Sequence, residues 1–182
     1  INNPEKAKYV SGLKKGEGKY LEDGTWVQNT VSGKIPVVPD AVNLQREGLN
    51  VKVGVGQPAE NYHLTRSTTN KAKEFVAGIG DYMITEAGTD TISKGHSNKK
   101  HYDGTAFDMS LQGEDSRDID RLFNVMLEAK KAGLDAQYES KEKSVVDALN
   151  ERIQVWNVQN KKNKLKPAAN WPYAPHFSVY DN

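Results

Sequence analysis

Helical and strand patterns alternate along residues 67–182, and this alternation limits the class of fold the chain can adopt. Apolar residues recur with helical spacing in three segments, as expected of helices that bury one face. Between and after these segments lie four short stretches with strand character: 81–86, 105–111, 134–138 and 177–180. Helices and short strands occur together in this stretch, and we expect an α+β domain, in which a small antiparallel sheet has helices packed against one side.

The ends of the three predicted helices carry polar caps and closing glycines. Candidate caps are Ser67 or Thr68 for the first helix, Asp115 or Ser116 for the second, and Ser144 with Asp147, in a pattern like a capping box, for the third. The first two helices are predicted to close at Gly80 and Gly133, because glycine readily adopts the left-handed conformation that ends a helix.

Residues 1–62 are rich in glycine and show little helical periodicity. Asp23-Gly24 is a candidate hairpin turn between two short strands. Alternation predicts a half-buried strand at three valines: Val51, Val53 and Val55. We therefore expect an irregular N-terminal extension, 1–62, followed by the main domain, 63–182. The extension either lies over the main domain or docks to a larger assembly, and a set of surface loops is an equally good interpretation.

Charge and composition argue against several classes of protein. The 25 basic and 24 acidic side chains leave a net charge of +1, which disfavours a nucleic-acid binder with a strongly basic face. No apolar run approaches the roughly 20 residues that cross a bilayer, so no membrane span is predicted. The lysine-rich run 161–166 is interpreted as a solvated loop in preference to an anion-binding patch. The chain has no cysteine, so a metal site must use His, Asp or Glu.

A histidine and an aspartate stand in a local setting that suits metal binding. His101 precedes an Asp103-Gly104 turn, and Asp108 lies on the inward face of the strand that follows. Since the turn reverses the chain, the imidazole and the carboxylate can converge on one point, and zinc accepts such nitrogen and oxygen ligands. A catalytic zinc needs a third ligand and an open position, for which His176 is the candidate. On spacing alone, ordinary surface or hydrogen-bonded residues remain the simpler explanation.

Three segments together resemble a known metal-binding signature. They are Ile84-Thr-Glu-Ala-Gly88, Gly95-His96-Ser97 and His101-Tyr-Asp-Gly-Thr-Ala-Phe-Asp108. With a helix, a strand carrying Glu139 and a final strand opening at His176, they look like the zinc D,D-carboxypeptidases and endopeptidases and the hedgehog signalling domain. The resemblance covers residues 67–182, and its specific part is the H-x-x-G-x-A-x-D pattern.

The resemblance implies a role for each of five residues and a zinc groove on the side of the sheet opposite the helices. His101, Asp108 and His176 match the zinc ligands. Glu139 matches the general base that activates the catalytic water, and His96 matches a loop histidine that polarises the scissile carbonyl or holds the oxyanion. Without the family, Glu139 is a strand-end carboxylate at the surface, and His96 is equally well a loop histidine with no role.

The chain departs from the family pattern in three ways. Glu139 is separated from His176 by a long stretch of chain, which contains an insertion at about 142–170, whereas the family keeps the two close in sequence. Many members have His-x-His at the final strand, and the first position here is Ala174. The arginine that often follows the first strand in the peptidases is absent, and Arg66 is the candidate substitute.

The resemblance implies a zinc-dependent peptidase that acts on the peptides of bacterial peptidoglycan, with Glu139 as base. Glu86, which ends the first predicted strand, is the competing candidate for the base. The alternative is a zinc-containing binding or structural module without turnover, as the hedgehog domain is usually regarded. The chain starts at Ile1 rather than Met. We therefore expect a product released from a larger precursor, such as a phage lysin or virion component, in an extracellular or virion-associated location.

Overall fold

The structure is a computed structural model that describes residues 4–54, 58–88 and 98–182. It is an α+β protein with small antiparallel sheets and helices. The helices in these ranges are α1 (Pro4–Ala7), α2 (Arg66–Ala77), α3 (Lys100–Asp103), α4 (Ile119–Lys131) and α5 (Lys143–Gln159). Short 3-10 segments lie at Lys8–Val10, Ala59–Asn61 and Gly113–Arg117. No helix in the described ranges is both long and apolar enough to cross a membrane.

The strands are β1 (Gly18–Tyr20), β2 (Trp26–Gln28), β3 (Val37–Val38), β4 (Ala41–Asn43), β5 (His63–Thr65), β6 (Met83–Ala87), β7 (Ala106–Ser110), β8 (Leu134–Ser140), β9 (Ala169–Asn170) and β10 (His176–Asp181). They form a three-stranded sheet of order β1-β2-β3, a two-stranded sheet β4-β5, and a five-stranded sheet of order β6-β7-β10-β8-β9. Contacts divide the chain into two compact units, Ile1–Asn70 with Ile84–Phe107, and Lys71–Met83 with Asp108–Asn182. The predicted extension, 1–62, and main domain, 63–182, stay a prediction.

In the first unit, the predicted hairpin is confirmed and the irregular character of residues 1–62 is corrected. β1 and β2 pair antiparallel, with Lys19 opposite Val27, and Gly24 in the connection has a φ of 87°, which favours glycine. Further strands, β3 and β4, follow within the same stretch. The strand expected at the alternating valines is wrong. Val51 makes a single bridge to Ile84, Lys52–Gly54 continue outside any strand, and Val55 lies outside the described residues.

In the second unit, β8 and β10 are the central antiparallel pair. Their register places Tyr180 opposite Asp135 and Phe177 opposite Tyr138. Successive side chains of a strand point to opposite faces, so one face of the pair carries buried apolar residues: Leu134, Ala136, Tyr138, Phe177 and Val179. Both α4 and α5 pack against β8. The other face carries half-buried polar side chains, which form the candidate site.

The helix caps differ from the sequence-based expectation. The cap of α4 is Asp118, whose carboxylate accepts a hydrogen bond from the backbone N–H of Arg121 at 3.3 Å. Asp115 and Ser116 lie instead in the 3-10 segment before the helix. The predicted capping box at Ser144 is also wrong, because α5 begins one residue earlier and no side chain caps it.

The predicted insertion contributes a helix to the core of the second unit. α5 buries three apolar side chains: Val146, Leu149 and Ile153. Two asparagines of α5 hold the following segment, since Asn157 bonds the backbone of Leu165 at 2.7 and 2.9 Å and Asn150 bonds that of Ala168 at 2.7 and 3.0 Å. The segment then enters β9, which pairs parallel to the end of β8 with Ala169 opposite Glu139.

Candidate functional site

Polar side chains from β7, β8 and β10 gather on one face of the second unit. We call this set the polar face; its residues are Asp108, Asp135, Gln137, Glu139, His176, Ser178 and Tyr180. The period of two along each strand puts alternate residues of β8 and β10 on this face. The antiparallel register then sets each residue of β8 beside one of β10. Three of the five site residues expected from the sequence, Asp108, Glu139 and His176, belong to the polar face.

Glu139 and His176 are direct cross-strand partners. Their register pairs them across β8 and β10, and Glu139 Oε1 lies 3.4 Å from His176 Nε2. The two side chains are 18% and 15% exposed, so solvent screens their interaction only in part. Strand pairing therefore brings together two residues that are far apart in sequence. The insertion follows β8, and the chain then passes through β9 before it enters β10.

The second ring nitrogen of His176 is held by the backbone. Nδ1 lies 3.3 Å from the carbonyl oxygen of Ala174, and a carbonyl can only accept, so Nδ1 carries the hydrogen. This leaves Nε2 directed toward Glu139. Burial alone lowers the pKa of His176, but the Glu139 hydrogen bond, the charges of Asp108 and Glu139, and the Ala174 carbonyl outweigh burial, and the net pKa is raised.

Asp108 is oriented by a hydroxyl of the neighbouring strand. Ser178 Oγ donates a hydrogen bond of 3.0 Å to Asp108 Oδ1. The pKa of the Tyr180 phenol is raised to about 12. Burial is the larger cause, and the negative charges of Asp135, Glu139 and Asp108 add to it. The polar face is thus an acidic environment in which a cation or a protonated imidazole is stabilised.

The other two expected site residues are His101, which belongs to the first unit, and His96. His101 is 4% exposed and lies in the short helix α3 of the first unit. The turn itself is present, with Gly104 at a φ of 79° closing α3. His96 lies outside the described residues.

Glu86, the competing candidate for the base, and Arg66, the candidate substitute for the missing arginine, belong to the first unit. Glu86 lies in β6 near Tyr62, where its charge contributes, after burial, to a raised pKa of that phenol. Arg66 is engaged in an ion pair, with its Nη1 2.6 Å from Glu47 Oε1. Within the first unit, Arg66 thus already has a carboxylate partner.

The donor set of the polar face suits a zinc ion in its chemistry. Zinc takes imidazole nitrogen and carboxylate oxygen ligands. A histidine that ligates zinc usually donates its other N–H to a carbonyl or carboxylate, and the Nδ1 bond to Ala174 is of this kind. The Ser178 bond orients Asp108 in the same way. In the parts of the chain that the structure describes, no three His, Asp or Glu side chains stand in a metal-binding arrangement.

Two aromatic residues beside the polar face were missed from the sequence. Trp171 and Tyr173 follow β9, and the ring of Trp171 lies 5.4 Å from that of His176, centroid to centroid. A signal was available in the Trp-Pro-Tyr-Ala-Pro-His run, which places two aromatics and two prolines directly before a candidate ligand.

A separate groove of about 530 Å³ runs along α5, and none of its lining residues is an expected site residue. They are Asn150, Ile153, Gln154, Asn157, Val158, Lys161, Lys164 and Pro167. This groove has no part in the candidate site.

The chain matches no family model, no curated protein and no solved structure. The proposed function therefore rests on the geometry of the polar face.

Proposed function

We propose that the protein is a zinc-dependent peptidase that cleaves peptides of bacterial peptidoglycan, with a fold like that of the zinc D,D-peptidases and the hedgehog domain. The observation that carries the proposal is the cross-strand pairing of Glu139 with His176 beside Asp108. A base and two candidate ligands lie on one polar face, although the three residues are far apart in sequence. The choice of peptidoglycan as substrate, and an extracellular or virion-associated location, come from the resemblance.

Asp108 and His176 are the residues that would hold the zinc in the second unit, and the resemblance implies His101 as a third ligand. Zinc, when bound, supplies a Lewis acid and a water that is nucleophilic near neutral pH. Ser178 keeps the Asp108 carboxylate in one orientation. The Ala174 carbonyl keeps the hydrogen of His176 on Nδ1, so Nε2 is the atom that would bind zinc.

Glu139 acts as the general base. Its Oε1 lies 3.4 Å from the Nε2 of His176, so it would lie close to a water held next to this candidate ligand. The carboxylate takes a proton from the attacking water and passes it to the leaving amine. His96 is proposed, from the resemblance alone, to hold the oxygen of the scissile carbonyl.

The second candidate is a zinc module without turnover. The same pairing of Glu139 with His176 favours it, because a carboxylate that bonds an imidazole has a structural role whether or not it moves protons. Ala174, where many members of the family have a histidine, also fits this function.

The first test is metal content. The purified protein should hold one zinc per chain after dialysis, as measured by mass spectrometry of the metal. His101→Ala and Asp108→Ala should each lower the zinc content sharply, whereas Glu142→Gln, which removes a carboxylate just past β8, should leave it unchanged. Full zinc occupancy in both alanine variants would show that these residues are not ligands.

The second test is hydrolysis. Wild-type protein should release amino groups from purified peptidoglycan, and Glu139→Gln should lower that rate by about 10²–10⁴ while zinc and fold are retained. Glu142→Gln is the matched control, with the same residue types and the same change in charge. A zinc-loaded wild-type protein that cleaves no peptidoglycan would favour the module. If Glu139→Gln cleaves as fast as wild type, the base lies elsewhere and Glu86 is tested next.

A further inference from the structure

An exposed pair of aromatic rings adjoins the polar face. Trp171 is 37% and Tyr173 is 67% exposed, and both rank among the exposed large apolar side chains of the described residues. Their rings meet edge to face, with centroids 5.7 Å apart and an angle of 69°. Trp171 also meets the imidazole of His176 edge to face, at 5.4 Å and 74°. Trp171 thus links the exposed Tyr173 to the candidate site.

The backbone holds this pair in place. The N–H of Trp171 donates a hydrogen bond of 3.0 Å to the carbonyl of Ser140, directly after β9 has paired with the end of β8. Pro172 and Pro175 each fix a backbone φ on either side of Tyr173. Large aromatic side chains presented to solvent on a stiffened segment indicate a binding site more strongly than scattered exposed valines do.

The size of the surface limits the kind of ligand. A stable protein interface buries about 800 Å² on each partner, and two aromatic side chains supply at most about 150–250 Å² each. The rings therefore suit a small flat group. An apolar peptide side chain is usually enclosed in a concave pocket, whereas Trp171 and Tyr173 stand open. A pyranose ring fits an open platform, because its C–H face stacks on an aromatic ring while its hydroxyls stay in water.

We propose that Trp171 and Tyr173 form a platform for an N-acetylated pyranose ring, which in the proposed substrate belongs to the glycan strand of peptidoglycan. The inference rests on the proposed function for the identity of the polymer. The platform holds the glycan so that the peptide attached to it enters the polar face at His176. The platform implies that the substrate is a polymer that carries glycan, rather than a free peptide.

The test is a binding titration that needs no turnover. N-acetylglucosamine tetramer is added to the purified protein, and binding is followed by tryptophan emission and by calorimetry. Trp26 is buried, so emission changes are expected from Trp171 and are retained in Trp156→Phe. Tyr173→Ala should weaken binding about tenfold, and Trp171→Ala should abolish the heat of binding.

Val155→Ala is the matched control, because Val155 is a 60% exposed apolar side chain on α5 of the same unit. It should bind the tetramer like wild type. Circular dichroism shows whether each variant is folded, and Trp171→Phe, which keeps an aromatic ring, should retain part of the affinity.

Three outcomes overturn the inference. In the first, folded wild type does not bind the tetramer. In the second, Tyr173→Ala and Val155→Ala bind the tetramer with equal affinity. In the third, the protein binds a free stem peptide but not the tetramer. The result is separable from the proposed function, since cleavage is assayed independently. Cleavage without tetramer binding refutes the platform alone. Tetramer binding without cleavage refutes the peptidase alone and supports a glycan-binding module.

Discussion

Acid should destabilise the first unit through one buried histidine, His63. The residue is 0% exposed and its ring stacks on Trp26, with centroids 3.9 Å apart and an angle of 19°. Tyr20 Oη and His63 Nε2 form a hydrogen bond of 2.6 Å. Burial lowers the pKa of His63 from 6.5 to about 4, the backbone of Asn61 opposes that shift, and the charge of Arg46 adds to it.

The sign of the effect follows from proton uptake by the two states. In the unfolded chain His63 titrates near 6.5, and in the folded chain near 4, so between these values the unfolded state binds more protons. The stability contributed by neutral His63 is fully present above pH 6.5 and is lost as the pH falls toward 4. A fall of the pKa from 6.5 to about 4 corresponds to about 3.4 kcal/mol. About 2.5 kcal/mol of this should be lost by pH 4.5.

The assay is urea denaturation followed by tryptophan emission, at pH 7.5 and pH 4.5, for wild type and His63→Gln. Carboxylates and other histidines titrate in both proteins, so the difference between their pH dependences isolates His63. Wild type should lose about 2.5 kcal/mol more than the variant over this range. Trp26 lies against the ring, so its emission should also report protonation of the imidazole.

A second measurement avoids any dependence on the variant. Nuclear magnetic resonance titration of the histidine ring protons in wild type should give one midpoint near 4 or an acid transition that coincides with unfolding. A His63 midpoint near 6.5 in the folded protein would refute the argument. Equal acid losses in wild type and in a folded His63→Gln would refute it as well.

Two further pairs of substitutions test local features of the fold by thermal denaturation. Gly104→Ala should lower the free energy of unfolding by about 1–3 kcal/mol more than Gly24→Ala does. Both glycines have a positive φ, but only a Cβ at Gly104 would lie 2.3 Å from Val38 Cγ1. Equal losses in the two variants would contradict the steric argument. Asp118→Ala should cost about 1 kcal/mol through loss of the α4 cap, whereas Asp115→Ala should cost little, and the reverse order would restore the cap expected from the sequence.

Trp171 and the buried His63 show what local sequence patterns miss. His63 is one of four histidines in the sequence, and no spacing around it predicts that it is fully buried. Its burial depends on Trp26 and Tyr20, which lie on β2 and β1, far back in the chain. Likewise, Trp171 becomes part of the site because its ring reaches His176.

By itself, the sequence determined most of the helices and strands of the second unit, although it did not predict β9. Strands β7, β8 and β10 fall within two residues of their predicted ranges. Helix α4 lies between its candidate caps and Gly133, and α5 begins one residue before Ser144. This succeeds because helical spacing and strand alternation are set by neighbours two to four residues apart. The expected cap of α4, Asp115 or Ser116, is wrong because several polar residues compete there, and Asp118 is the one whose side chain accepts a helical N–H.

Only the tertiary structure decided which residues share a face and which partners they meet. A long stretch of chain separates Glu139 from His176. Cross-strand register sets them side by side. Register depends on hydrogen bonds between distant strands and on the burial of one complete face, because a slip of one residue would move Phe177 and Val179 out of the core. Such long-range pairing cannot be predicted from the spacing of residues within either strand.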